Sequence, residues 1–228
     1  MANTRGKGLE GVVAARTSIS DIDGQQGKLF YCGYDIADLA EHASFEETVY
    51  LLHHLELPTR AQLDEENRVL RAEQRLDPYL VRLISTLGDD TNPMTVLRTV
   101  VSAAATLDPT VDDESSEANL RKAYKLVALT PQIVAAFHRL RTGGDAVEPR
   151  DDQSLAANFL YSLTGKQPDE QLARDFDVCL LLYADHTMNA STFAGRVAAA
   201  AVAAAYMSAR VAAATRPAKV EAFIVWSA

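Results

Sequence analysis

Apolar residues recur every three or four positions through most of this chain, and polar residues, prolines and glycines between them mark where helices begin and end. Asp35 to His42 predicts a short helix. Ser44 followed by Glu47 gives a capping box for the next, which carries Val49, Leu51, Leu52 and Leu55 and stops before Pro58. Ala61 to Leu76 predicts a charged amphipathic helix, and Pro78 opens another that ends at Gly88. Pro93 begins a helix with Met94, Leu97, Val100 and Val101 on one side. After Asp112-Asp113-Glu114, a solvated loop, Ser116 is the expected N-cap of a long helix. Its positions Leu120, Tyr124, Val127, Pro131, Val134, His138 and Arg141 run to Gly143-Gly144, with a kink expected at Pro131. Further helices are expected at Ser154 to Thr164 and Asp169 to Tyr183.

Only Val12 to Tyr34 reads as strand. Ile19 and Ile22 flank polar residues, Asp23-Gly24 signals a turn, and Lys28-Leu-Phe-Tyr-Cys32 returns as a second strand. The predicted class is all-α with a small N-terminal β-hairpin. No repeat of 20–50 residues and no long heptad seam is present.

Composition narrows the partners. The chain has 228 residues, 48% of them hydrophobic, enough for a sizeable core. Its net charge of −9, from 22 Lys and Arg against 31 Asp and Glu, argues against nucleic acid or an anionic membrane as the main partner. The N-terminus lacks an apolar signal segment and no run reaches the ~20 apolar residues that span a bilayer, so the expectation is a cytoplasmic protein. Cys32 and Cys179 are expected as reduced thiols.

The candidate chemistry sits after the last clear helix. Leu172, Phe176, Cys179 and Tyr183 are spaced by four, three and four, and three more residues reach His186, so the imidazole is expected at the C-terminal end of a buried stripe. A helix C-terminus favours the protonated ring, and a cationic donor in a sheltered pocket suits a small carboxylate or keto acid. The spacing alone favours a core histidine bonded to a backbone carbonyl. Asn189 and Ser191 follow; one can cap the next helix and the other can orient a second group. Arg196 can neutralise a carboxylate or lie on the surface. His53-His54 cannot share a metal from one helix, because adjacent residues point about 100° apart, and His42 and His138 lack neighbours at ligand spacing. No metal site and no cofactor is expected, and Gly-x-Gly-x-x-Gly, P-loop and Gly-x-Ser-x-Gly patterns are absent.

The segments Gly8-Leu-Glu-Gly-Val-Val-Ala-Ala15, Ser18-Ile-Ser20, Asp23-Gly24, Gly33-Tyr-Asp-Ile36, Ser44-Phe-Glu-Glu47 and Leu57-Pro-Thr59 resemble, in order, the start of the citrate synthases. Ala157-Asn-Phe-Leu-Tyr-Ser-Leu-Thr-Gly165 and, best of all, Ala184-Asp-His-Thr-Met-Asn-Ala-Ser-Thr-Phe193 continue the resemblance, which the 2-methylcitrate synthases share. It implies a mostly helical homodimer that condenses acetyl-CoA with oxaloacetate and water to give citrate and CoA, the opening step of the tricarboxylic acid cycle. It assigns oxaloacetate binding to His186, with Asn189 and Ser191 supporting a neighbouring catalytic histidine. On this reading residues 8–197 are an incomplete citrate-synthase-like large helical domain and 198–228 a divergent alanine-rich tail.

The sequence departs from the family after residue 197. The Gly-Pro-Leu-His-Gly-Gly-type and Gly-His-Arg-type segments, the aspartate that removes the acetyl proton and most substrate-clamping arginines have no match. The expectation is therefore a truncated chain, inactive alone, with no catalytic residue of its own. The alternatives are a non-catalytic helical fragment that binds a full-length homologue, a 2-methylcitrate synthase fragment, or a remnant that does not fold stably.

Overall fold

The computed structural model describes residues 17–185. They begin with an antiparallel sheet of order β1-β2-β3, formed by β1 (Ser20–Asp23), β2 (Lys28–Tyr31) and β3 (Tyr34–Asp35). In register, Ser20 faces Tyr31, Asp23 faces Lys28, and Phe30 faces Asp35. The expected hairpin is present and a third strand extends it. Cys32 and Gly33 connect β2 to β3 with φ of 48° and 89°. Two successive positive φ values are what the tightest hairpin turn needs, usually from Asn-Gly. A cysteine in the first position hides that turn from a sequence reader. Its Sγ lies 3.5 Å from the Leu51 carbonyl oxygen, which offers the thiol an acceptor.

Eight helices follow: α1 (Ile36–His42), α2 (Phe45–His54), α3 (Arg60–Glu73), α4 (Pro78–Thr86), α5 (Pro93–Ala105), α6 (Ser116–Arg141), α7 (Leu155–Thr164) and α8 (Glu170–Leu182). The helix starts follow side-chain chemistry closely. The Ser44 hydroxyl accepts from the Glu47 N–H while Glu47 accepts from the Ser44 N–H, and Thr59 and Gln62 repeat this box on α3. Asp77 and Asn92 cap α4 and α5 one residue before Pro78 and Pro93, which need no hydrogen-bond partner. The cap of α6 is Ser115 rather than Ser116, its hydroxyl accepting from the Ala118 N–H at 3.2 Å. Either serine matches the sequence pattern; only the backbone selects between them. α6 passes Pro131 as one continuous helix.

Three apolar clusters hold these elements together. The largest joins α4, α5 and α6 through Leu80, Ile84, Val96, Val100, Leu129, Ile133 and Phe137. A second, of Val49, Leu70, Tyr124, Ala128 and Leu155, ties α2, α3 and α7 to the middle of α6. The third packs Tyr31, Leu39, Ala43, Leu51 and Leu181, and so binds the sheet to α1, α2 and the C-terminal half of α8. No helix among the described residues is long and apolar enough to cross a membrane.

Candidate functional site

α8 leads towards the polar cluster singled out by sequence, so its anchoring decides where that cluster begins. Asp169 caps it, accepting from the Leu172 N–H at 2.8 Å. The stripe expected to be buried is not. Leu172 is 49% and Tyr183 80% exposed, Cys179 is exposed, and Phe176 is half-buried in a stack on Phe159. The buried residues of α8 are instead Asp177 and Leu181. Hydrophobic periodicity selects the wrong face here because the true inward face carries an ion pair.

That pair, Arg174 and Asp177, joins three helices. The Asp177 carboxylate accepts from the Phe45 N–H at 3.1 and 3.2 Å and from Arg174 Nη1 at 2.9 Å. Arg174 also donates to the carbonyls of Ala43 at 2.9 Å, Ala40 at 2.7 Å and Glu41 at 3.3 Å. The last carbonyls of α1 and the first N–H groups of α2 have no partners within their own helices. One side-chain pair from α8 satisfies both sets, with the anion at a helix N-terminus and the cation at a helix C-terminus, the orientation each dipole favours. Burial pushes the Asp177 carboxyl above the usual carboxylate range, while the Phe45 N–H and Arg174 pull it back.

Tyr31 fixes the far end of α8. Its side chain is fully buried, and its hydroxyl donates to the Asp185 carbonyl at 2.6 Å, with the Leu182 carbonyl at 3.3 Å. The Asp185 N–H donates back to the same oxygen at 3.0 Å. One phenol thus holds both backbone groups of the residue that precedes His186. His186, Asn189, Ser191 and Arg196 lie outside the described residues. Sequence reading missed Tyr31, Arg174 and Asp177. Their signals were present: an inward tyrosine in β2, and an Arg-x-x-Asp pair at helical spacing between apolar residues.

A second polar group lies where α2, α3 and α6 meet. His54 Nε2 is 2.9 Å from the Tyr124 hydroxyl, His53 Nδ1 is 2.8 Å from the Val49 carbonyl, and the two imidazoles serve different partners as adjacent helical positions require. Burial raises the Glu66 carboxyl and the Tyr124 phenol and lowers the His54 imidazole. Among the described residues no three His, Cys, Asp or Glu side chains are grouped to hold a metal ion. Cys32 and Cys179 are free thiols.

The class this fold defines is a mainly helical domain that carries a small sheet at its N-terminal edge and uses it to grip the end of its last described helix. The sequence profile of "Citrate synthase, C-terminal domain" matches residues 8–218, and the chain belongs to the citrate synthase family. It is 47% identical over 195 residues to the citrate synthase of Haloferax volcanii, an alignment that covers 84% of this chain and 52% of that protein. To citrate synthase 2 of Bacillus subtilis it is 44% identical over 198 residues, covering 86% and 53%. The crystal structure of citrate synthase from Pyrobaculum aerophilum superposes with a TM-score of 0.79 at 39% identity, covering 86% of this chain and 51% of that one. The citrate synthase of Thermoplasma acidophilum, solved as a ternary complex with carboxymethyl coenzyme A and oxaloacetate, superposes at 0.78 with 26% identity, covering 86% and 51%. The chain spans about half the length of the relatives it matches.

Proposed function

We propose that this chain carries the oxaloacetate-binding half-site of a citrate synthase, with His186 donating to the substrate and Asn189 and Ser191 supporting the neighbouring catalytic histidine of the family. The observation that carries this reading is the grip of Tyr31 on Asp185, which fixes the backbone immediately before His186 in a chain with this family membership. Pre-organised placement of that kind is what a ligand-binding side chain needs from its support. In the proposed reaction acetyl-CoA, oxaloacetate and water give citrate and CoA, with no cofactor, in a cytoplasmic homodimer.

The chemistry also bounds what the 228 residues do alone. Condensation needs a base for a weakly acidic α-proton and donors for the enolate and the developing alkoxide. Loss of one such donor costs about 10²–10³ in rate. Loss of the base costs about 10²–10⁴ more. The sequence has no match for the family segments that supply them. The 228-residue polypeptide is therefore expected to bind oxaloacetate without turnover. Calorimetric titration with oxaloacetate, beside an assay of thiol release from acetyl-CoA, tests both halves. Saturable binding lost in His186→Ala, with no thiol release, supports the reading. Absence of binding removes the half-site, and oxaloacetate-dependent thiol release removes the proposed inactivity. A 2-methylcitrate synthase reading is favoured by 40% identity over 191 residues to a protein of that name from Mycobacterium tuberculosis, and a propionyl-CoA arm in the same assay, run on a catalytically complete chain, separates the two.

A further inference from the structure

His54, the last residue of α2, stands between solvent and a buried carboxyl group. The residue is exposed, yet its ring stacks on the buried Tyr50 with centroids 4.1 Å apart. Its Nε2 lies 2.9 Å from the hydroxyl of Tyr124, a residue of α6 that is 6% exposed. The His53 ring meets the Tyr124 ring edge-on at 5.1 Å, so the phenol is packed as well as bonded. Glu66, on α3, completes the group. It is 5% exposed, and its Oε1 has no hydrogen-bond partner.

The Tyr124 hydroxyl has one proton and two neighbours able to accept it. A neutral imidazole with its own proton on Nδ1 accepts the phenol proton at Nε2. A protonated imidazole has no lone pair to offer; its Nε2–H donates to the phenol oxygen, and the phenol proton is free to turn to Glu66. An ionised carboxyl inside the protein is costly without a donor, and a donor favours the charged form. Burial acts most strongly on all three side chains. Among the described residues the titratable groups that also bear on His54 are His53, which disfavours its charge, and Glu56, which favours it. Those that bear on Tyr124 are Glu66 and Tyr50, and Tyr124 in turn bears on Glu66. Glu66 therefore reaches His54 through the phenol rather than directly.

We propose that Tyr124 couples the proton on the surface imidazole of His54 to the charge on the buried carboxyl of Glu66, so that the joint of α2, α3 and α6 senses external pH. A proton taken up at His54 reverses the 2.9 Å hydrogen bond and supplies Glu66 with the donor its ionised form needs. The linkage is reciprocal. The factor by which an ionised Glu66 strengthens proton binding at His54 is the factor by which a protonated His54 weakens it at Glu66. The device lies on α2, α3 and α6 and is independent of the role proposed for His186.

NMR titration of the His54 imidazole and the Glu66 carboxyl in the 228-residue chain reads the coupling at both ends. Glu66→Gln is expected to lower the proton affinity of His54 by about threefold or more. His54→Gln is expected to raise that of Glu66 by a similar factor. Tyr124→Phe keeps the ring and deletes the hydroxyl, and in that background Glu66→Gln is expected to leave His54 unmoved. A His54 titration indifferent to Glu66→Gln in the parent overturns the proposal. So does one that moves as far in the Tyr124→Phe background, because charge acting through space then suffices. The two glutamine variants decide the matter even where Tyr124→Phe does not fold: matching changes at the two sites support the coupling, and a change at one site alone overturns it.

Discussion

The bundle of α4, α5 and α6 and the joint of α1, α2 and α8 are held by different physics. The bundle is closed by side chains such as Val96, Val100 and Ile133, each no more than 1% exposed, and none of the buried residues of α4, α5 and α6 is charged. The joint buries Leu39, Leu51 and Leu181 but also Asp177, and its geometry is set by hydrogen bonds from Arg174, Asp177 and Tyr31. Apolar packing is non-directional and tolerates small displacements. A carboxylate that caps a neighbouring helix tolerates little, because its donors lie in fixed directions. The end of the described chain, from which the proposed half-site continues, is held by the directional interactions.

Truncations in the bundle should give the largest losses. Ile133→Ala removes a side chain that is 1% exposed at the centre of the α4–α6 cluster, and about 3–4 kcal/mol of stability is expected to go with it. The urea midpoint should fall with little change in slope, and oxaloacetate affinity of the remaining folded chain should be unchanged. A loss below about 1 kcal/mol would mean that the bundle collapses around the gap.

Asp177→Ala attacks the joint. It strands the Phe45 N–H and removes the partner of Arg174, which is itself 37% exposed and so keeps access to water. That access brings the expected loss to about 2–3 kcal/mol, below the figure for a fully enclosed pair. Arg174→Ala combined with Asp177→Ala should cost less than the sum of the two single changes, by about 1 kcal/mol, because each single change already breaks the shared contact. Strict additivity would show that the two side chains cap their helices independently.

Tyr31→Phe is the sharper test of the comparison, since it deletes one oxygen and leaves the apolar packing of β2 in place. About 1–1.5 kcal/mol of global stability is expected to be lost. Hydrogen exchange at the Asp185 amide should accelerate well beyond what that loss explains, and oxaloacetate affinity should fall although Tyr31 is not assigned to the ligand. Unchanged exchange at Asp185 would leave the phenol a packing residue and nothing more.

The same contrast explains what the sequence revealed. Helix boundaries were legible wherever one residue's chemistry decides them, as with the Ser44–Glu47 box, Pro78, Pro93 and Gly165, which ends α7 at a φ of 72°. The third strand escaped because Cys32 occupies a turn position that normally announces itself with asparagine. The buried face of α8 was misjudged because its inward residues include Arg174 and Asp177, which pattern alone assigns to solvent. The Arg-x-x-Asp spacing marks such a pair, but which helices it caps carries no local signal, since the partners are 131 to 134 residues apart in the chain. The burial of Gln74, 1% exposed, was equally hidden, because a glutamine at the end of an exposed amphipathic helix gives no sign of enclosure.

The smallest expected effect concerns Glu46, which reaches from α2 to the start of α7 and accepts from the Leu155 N–H at 2.7 Å. It is 5% exposed, and burial raises its carboxyl above the ordinary range although the Leu155 N–H pulls the other way. A raised carboxyl binds its proton more tightly in the folded chain than in the unfolded one. Stability then falls as pH rises from the ordinary glutamate range through the folded value, and the deficit stays constant above it. Glu46→Gln keeps an oxygen for the Leu155 N–H and carries no charge at any pH. The two chains should therefore melt together in acid, below the ordinary glutamate range. At neutral pH the variant should be the more stable, by no more than about 1 kcal/mol. A variant that is less stable at neutral pH would show that the charge on Glu46 strengthens its grip on α7 by more than its burial costs, and would place this contact with the ionic joint of α8 rather than with the neutral caps of α2, α3, α5 and α6.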